Sequence, residues 1–265
     1  MATLGNAICG FAAMYICTLS PEPTAHDWVT RFFSQHTFVF AAYFIFFAMI
    51  CDALDGRLAR LTRHTTDFGG QLDSLADVIS FGAAPAFLAL QVFKAHINHD
   101  LPSEVTRLIW AIGALYMSCA AMRLARFNVS NEHGEQHHFS FLGLPSPGAG
   151  GCVAAFILMQ QKLSRSSSET LQQIATGLLY ALPAVVLLSG LLMISNIRYP
   201  HIVNRYMRGK KSIARIMLVL TLLLLLVVAH EVTIGVGTLA YVLWGFLGWA
   251  LVSLRRKPAT PLANA

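Results

Sequence analysis

Apolar runs of helix-spanning length alternate with short polar segments along almost the whole chain. A bilayer core about 30 Å thick takes roughly 20 apolar residues of α-helix. The pattern predicts eight such spans, at 3–20, 37–55, 70–93, 107–125, 143–162, 174–196, 213–229 and 233–253. Several spans carry Gly and Pro, as in "GLPSPGAGG" and "ALPAVVLLSG", which helices in lipid tolerate better than helices in water. The expected fold is an all-α polytopic bundle: one integral membrane domain over 1–253, with a catalytic core about 1–150. A polar, Pro-interrupted tail over 254–265 follows it.

Composition agrees with that pattern. Of the 265 residues, 55% are hydrophobic and 12% charged, where a soluble domain carries about 25% charged residues. The net charge of +6 marks topology, because the basic residues sit in short loops and form no groove for nucleic acid. If the loops after the second, fourth and sixth spans share a side with the C-terminus, that side holds 14 of the 19 Lys and Arg residues. The positive-inside rule makes it cytoplasmic, with both termini. The opening "MATLGNAICG" lacks the basic n-region of a cleavable signal peptide. The five cysteines fit no zinc ligand spacing and read as small buried hydrophobes. His133, His137 and His138 share a loop expected to be solvated.

Against this apolar background, "CDALDGRLARLTRHTTDFGGQLDSLADVIS" (51–80) concentrates acid where one span ends and the next begins. A carboxylate at bilayer depth is costly, so such a cluster points to function. Asp52 and Asp55 stand at i, i+3, and Asp73 and Asp77 at i, i+4, so each pair projects from one helix face. A short loop makes the second and third spans antiparallel neighbours, with the pairs facing each other near the cytoplasmic interface. Convergent carboxylates repel, and hard divalent cations resolve the conflict. All-oxygen ligands without His or Cys favour Mg²⁺ or Mn²⁺, expected as two ions bridged by shared aspartates. Gly69, Asp73 and Asp77 form one stripe, and Gly56 follows Asp55, leaving open backbone surface. Arg60 supplies a positive charge. Together these suit a diphosphate and phosphoryl-transfer chemistry.

The same residues match a known signature. Asp52-x-x-Asp55-Gly56-x-x-Ala59-Arg60, eight residues, then Gly69-x-x-x-Asp73-x-x-x-Asp77 resembles the CDP-alcohol phosphotransferase motif at all eight fixed positions. The stretches "DSLADVISFGAAPA" (73–86), "RLARFNV" (123–129) and "FLGLPSPGAGG" (141–151) look like the phosphatidylserine synthase branch. The resemblance covers about residues 1–150. One departure stands at the start: the branch commonly opens on Pro-Asn-x-x-Thr, and here Thr3 and Asn6 remain without the preceding Pro-Asn.

The resemblance implies transfer of a phosphatidyl group from CDP-diacylglycerol to the hydroxyl of L-serine, releasing CMP. By position, Asp52, Asp55, Asp73 and Asp77 would bind two divalent metals, and Asp77 would be the general base. Gly56, Ala59, Arg60 and Gly69 would line the CDP site. Asn6 is expected either at the nucleotide or in a helix–helix hydrogen bond. Family members are typically homodimers. Serine carries a carboxylate, for which Arg123 and Arg126 at i, i+3 are candidates, with Asn128 adding a hydrogen bond; the two arginines could instead be topology anchors. The expected location is the inner (cytoplasmic) membrane of a bacterium, with the site facing the cytoplasm. Two other readings stay open here: the same chemistry with glycerol 3-phosphate, inositol phosphate or choline as acceptor, and an ion or proton transporter with the aspartates as relay.

Overall fold

The computed structural model describes residues 2–19, 36–62, 67–96, 102–132, 141–195, 197–199 and 229–255. It is a helical bundle. Helix α1 spans Ala2–Ile16, α2 Thr37–Thr62 and α3 Asp67–Asp77. A π-helical turn, Val78–Ala83, leads without a break into α4, Ala84–His96. Then come α5 (Ser103–Glu132), α6 (Ser146–Ser164), α7 (Glu169–Ile194) and α8 (His230–Arg255). Two strands of two residues each, β1 (Phe141–Leu142) and β2 (Arg198–Tyr199), pair antiparallel.

Among the described residues, four stretches are long and apolar enough to cross a membrane: Thr37–Arg57, Phe68–His96, Ser103–Val129 and Glu169–Ile194. Helix α1 is apolar but shorter. The expected span 213–229 lies outside the described residues except for Ala229, as do the three loop histidines and most of the tail. Three boundaries differ from expectation. The fourth span is the middle of a longer helix that carries its polar ends, Ser103–Glu132. The polar loop expected around "SRSSSETLQQ" is shorter, because Glu169 already starts α7; an acidic residue suits a helix N-terminus. The "GLP" of "GLPSPGAGG" precedes α6, with Pro145 as its N-cap residue.

Small side chains set the packing. Thr3, Asn6, Gly10 and Ala13 are buried along one stripe of α1, and Ala41, Ala42, Ile45 and Ala48 along one stripe of α2. Without large side chains the two backbones close on each other, the usual device where lipid supplies no hydrophobic drive between helices. Helix α6 is buried from Ala149 through Gln161 and forms the centre, touching α2, α4, α5, α7 and α8. A helix apolar all round belongs in such a position. All five cysteines are free thiols, four of them buried.

The start of α6 depends on one backbone conformation. Gly143 has φ +82°, and a Cβ there would lie 2.4 Å from the Met193 carbonyl oxygen. Only glycine takes that turn without strain. Its N–H donates to the Ile197 carbonyl at 2.8 Å, and the Leu144 N–H to the Leu192 carbonyl at 2.9 Å. The turn thereby anchors the first residues of α6 against the end of α7.

The π turn also has a local cause. Pro85 has no N–H for the carbonyl of Phe81, four residues earlier, and its ring crowds that carbonyl. The chain relaxes by widening: the Ala84 N–H reaches back five residues, to Ile79. The Phe81 carbonyl accepts instead from the Tyr116 hydroxyl of α5, at 3.0 Å.

Candidate active site

Helix α1 packs against both α2 and α3, and the acidic site is built around that wedge. Carboxylate oxygens of Asp52 on α2 and of Asp73 and Asp77 on α3 all lie within 4.8 Å of one another. Asp77 is buried; Asp52 and Asp73 are partly so. Asp55 is near enough for its charge to act on both Asp52 and Asp73. Of the four aspartates expected to converge from their spacing, Asp52, Asp73 and Asp77 are brought together, and Asp55 lies outside that group. The helical periodicity behind that expectation holds, since Gly69, Asp73 and Asp77 fall in one unbroken helix.

Two polar residues of α1 fasten the cluster. The Asn6 Nδ2 donates to Asp77 Oδ1 at 2.9 Å, fully inside the protein. The Thr3 hydroxyl donates to Asp55 Oδ2. One helix thus holds an aspartate on each of its two neighbours. The Asn6 backbone is itself held: its main-chain carbonyl accepts from the Ser80 hydroxyl at 2.8 Å. The bond to Asp77 is a helix–helix hydrogen bond, one of the two roles expected for Asn6. Thr3 stood in the sequence as a family remnant without a role; only the fold reveals its partner.

The arginine pair separates. Arg123 turns inward and donates from Nη1 to the Ser146 hydroxyl at 2.5 Å, tying the end of α5 to the start of α6. Its Nε is buried with no hydrogen-bond partner among the described residues, and its charge is close enough to act on Asp77. Arg126 is exposed and makes a long 3.5 Å contact to the Ile194 carbonyl. Asn128 accepts from the Ser74 hydroxyl at 3.1 Å and donates to Gln71 Oε1 at 3.2 Å. It joins α5 to α3 through two residues that flank Asp73 in the sequence. Gly56 follows Asp55 on the exposed part of α2, and Gly69 lies in the first turn of α3. Ala59 and Arg60 continue α2; their side chains lie outside the described ones.

Sequence reasoning missed Ser146, Ser80, Ser74 and Tyr116. Each is a hydroxyl in an apolar helix, and Ser146 was visible inside "GLPSPG". A hydroxyl carries no sign of its partner until the helices are placed.

The donor set fits a divalent cation. Three carboxylates lie within 4.8 Å of one another, and among the described residues none forms a salt bridge. Like charges at this separation demand a counter-charge, and oxygen-only ligands suit Mg²⁺ or Mn²⁺.

Residues 1–195 match the CDP-alcohol phosphatidyltransferase family. A CDP-diacylglycerol–serine O-phosphatidyltransferase of Helicobacter pylori is 34% identical over 222 residues, covering 84% of each chain. A protein of the same description from Bacillus subtilis is 33% identical over 204 residues, 76% of this chain and 88% of that one. An archaetidylserine synthase of Methanothermobacter thermautotrophicus is 32% identical over 166 residues, 61% of this chain and 58% of that one.

Proposed function

The chain belongs to the CDP-alcohol phosphatidyltransferase family, and from that premise we propose that it transfers a phosphatidyl group from CDP-diacylglycerol to the hydroxyl of L-serine, yielding phosphatidylserine and CMP. The convergence of Asp52, Asp73 and Asp77 within 4.8 Å carries this reading. Serine as acceptor is supported by the names of the relatives.

In this reading Asp52, Asp55, Asp73 and Asp77 hold two Mg²⁺ or Mn²⁺ ions. When bound, such ions neutralise diphosphate charge and stabilise the leaving phosphate of CMP. The chain's own residues do the rest. Asp77 takes the serine hydroxyl proton as the serine oxygen forms its bond to the lipid-bearing phosphorus and the bond to CMP breaks. Asn6 holds Asp77 Oδ1, so the other carboxylate oxygen carries the proton, and a contact from Asn6 to the CDP-lipid stays part of this reading. Gly56, Ala59, Arg60 and Gly69 line the CDP site, with open backbone for the nucleotide. Arg123, beside Asp77 and with Nε unpartnered among the described residues, binds the serine carboxylate; Arg126 and Asn128 border that subsite.

The loop charges support a site on the cytoplasmic side of a bacterial inner membrane, eight spans and both termini cytoplasmic. Acyl chains then stay in the bilayer while serine arrives from water. Residues 1–253 act as a single domain with the catalytic core in 1–150, and the family resemblance supports a homodimer. The test is acceptor competition: purified protein, CDP-diacylglycerol and Mn²⁺, with serine, glycerol 3-phosphate, inositol phosphate and choline offered separately. Serine-dependent CMP release is expected. Faster release with another acceptor assigns that alcohol instead, and release with none removes the enzyme reading.

A further inference from the structure

The π turn begins at the residue after Asp77. Such turns are rare and cost stability, so one placed here asks for a reason. Its effect is rotational. One extra residue in a helix turns everything beyond it by about 100°. Before the turn, Asp73 and Asp77 point at Asp52. Beyond it, Leu88, Ala89 and Val92 are buried in the core. Without the insertion, a straight helix could not keep both faces in place.

The turn is gripped from several sides. A Cβ on Gly10 of α1 would lie 2.5 Å from the Ser80 hydroxyl. One on Gly82 would meet Ala120 of α5 at 3.2 Å, and one on Gly150 of α6 would meet the Phe81 backbone at 3.3 Å. The polar grip is Tyr116, buried, whose hydroxyl donates to the carbonyl that Pro85 orphans.

We infer that Tyr116 is a positioning residue for the acidic centre: its hydrogen bond to the Phe81 carbonyl holds the turn in its widened form and so sets the angle at which Asp73 and Asp77 meet Asp52. The inference deepens the phosphatidyl-transfer reading, but its first measurement needs no turnover.

The experiment compares the full-length parent with Tyr116→Phe and Pro85→Ala in detergent, titrating Mn²⁺ by electron paramagnetic resonance without substrate. Tyr116→Phe removes only the hydroxyl. Pro85→Ala attacks the turn from the other side, by returning an N–H to the Phe81 carbonyl and allowing an ordinary α turn. Both variants should bind Mn²⁺ roughly 10-fold more weakly, the usual scale for an outer-sphere positioning group, and both should lose kcat with serine KM unchanged. Val186→Ala, a core cavity on α7 and outside the helices that grip the turn, should lose thermal stability and keep Mn²⁺ affinity. Tyr116→Phe within about twofold of the parent in Mn²⁺ affinity would overturn the inference, whatever Pro85→Ala does. So would a matching loss in Val186→Ala. A parent that binds Mn²⁺ but turns over no CDP-lipid would sink the enzyme reading and leave this one standing on the binding data.

Discussion

Asn6 of α1 donates a hydrogen bond to Asp77 of α3 over 2.9 Å, and nothing in the local sequence pairs them; they are 71 residues apart. The bond occupies one oxygen of Asp77, a carboxylate that also stands within 4.8 Å of those of Asp52 and Asp73. A general base needs that kind of orientation before it needs a particular affinity for protons.

Asp77→Asn should therefore abolish the base while preserving the shape of the site. Turnover is expected to fall by about 10²–10⁴, with CDP-diacylglycerol still bound. Steady-state CMP release and equilibrium binding of the nucleotide lipid measure the two effects separately. Turnover within about threefold of the parent would remove Asp77 from the role.

Asn6→Ala takes away the donor and leaves the carboxylate in place. A hydrogen bond to a charged group contributes about 1.5–3 kcal/mol, so kcat should drop by roughly 10–100-fold. Thr3→Val cuts the corresponding bond to Asp55, which is further from the reacting proton in the proposed mechanism. Its loss of kcat should be the smaller of the two, and the ratio between the variants is the quantity to measure.

Chelation with EDTA should stop CMP release, and added Mn²⁺ or Mg²⁺ should restore it. Asp52→Asn removes one of three converging carboxylates. It should shift the half-saturating metal concentration upward by at least about 10-fold. Metal titration of activity at fixed lipid reads this directly. Full activity in excess EDTA would rule out the ion-holding role of the cluster.

Gly10→Ala tests the wedge by packing alone. The new methyl would stand 2.5 Å from the Ser80 hydroxyl and 2.7 Å from its Cα, so α1 must move away from the π turn. Overpacking of this kind costs about 1–3 kcal/mol. Thermal unfolding in detergent should show the loss, and kcat should fall with it because Asn6 rides on the displaced helix. Gly70→Ala, inside α3 where nothing lies within 4 Å, should raise the unfolding temperature slightly, since Gly in a helix costs about 0.5–1 kcal/mol relative to Ala.

The acidic residues were legible because their constraint is local and periodic. Spacings of three and four within a helix put side chains on one face whatever the rest of the chain does, and charge inside an apolar run is conspicuous. Four of the spans were legible for the same reason, since length and hydropathy are summed along the chain. Arg123 and Arg126 show the limit. Their spacing suggested a matched pair, yet Arg123 lies inward on Ser146 and Arg126 faces out. The rotation of α5 decided that, through contacts made by distant residues.

By itself, then, the chain's order of residues determined a helical membrane bundle and the identities and helix faces of four aspartates, because backbone periodicity and hydrophobic content act over a few turns. Tertiary structure alone decided which hydroxyl and amide groups reach them: Thr3 on Asp55, Asn6 on Asp77, and Tyr116 on the turn behind Asp77. Those partners depend on how helices rotate and cross. That outcome is set by small residues, a proline and a positive-φ glycine acting together across the whole bundle.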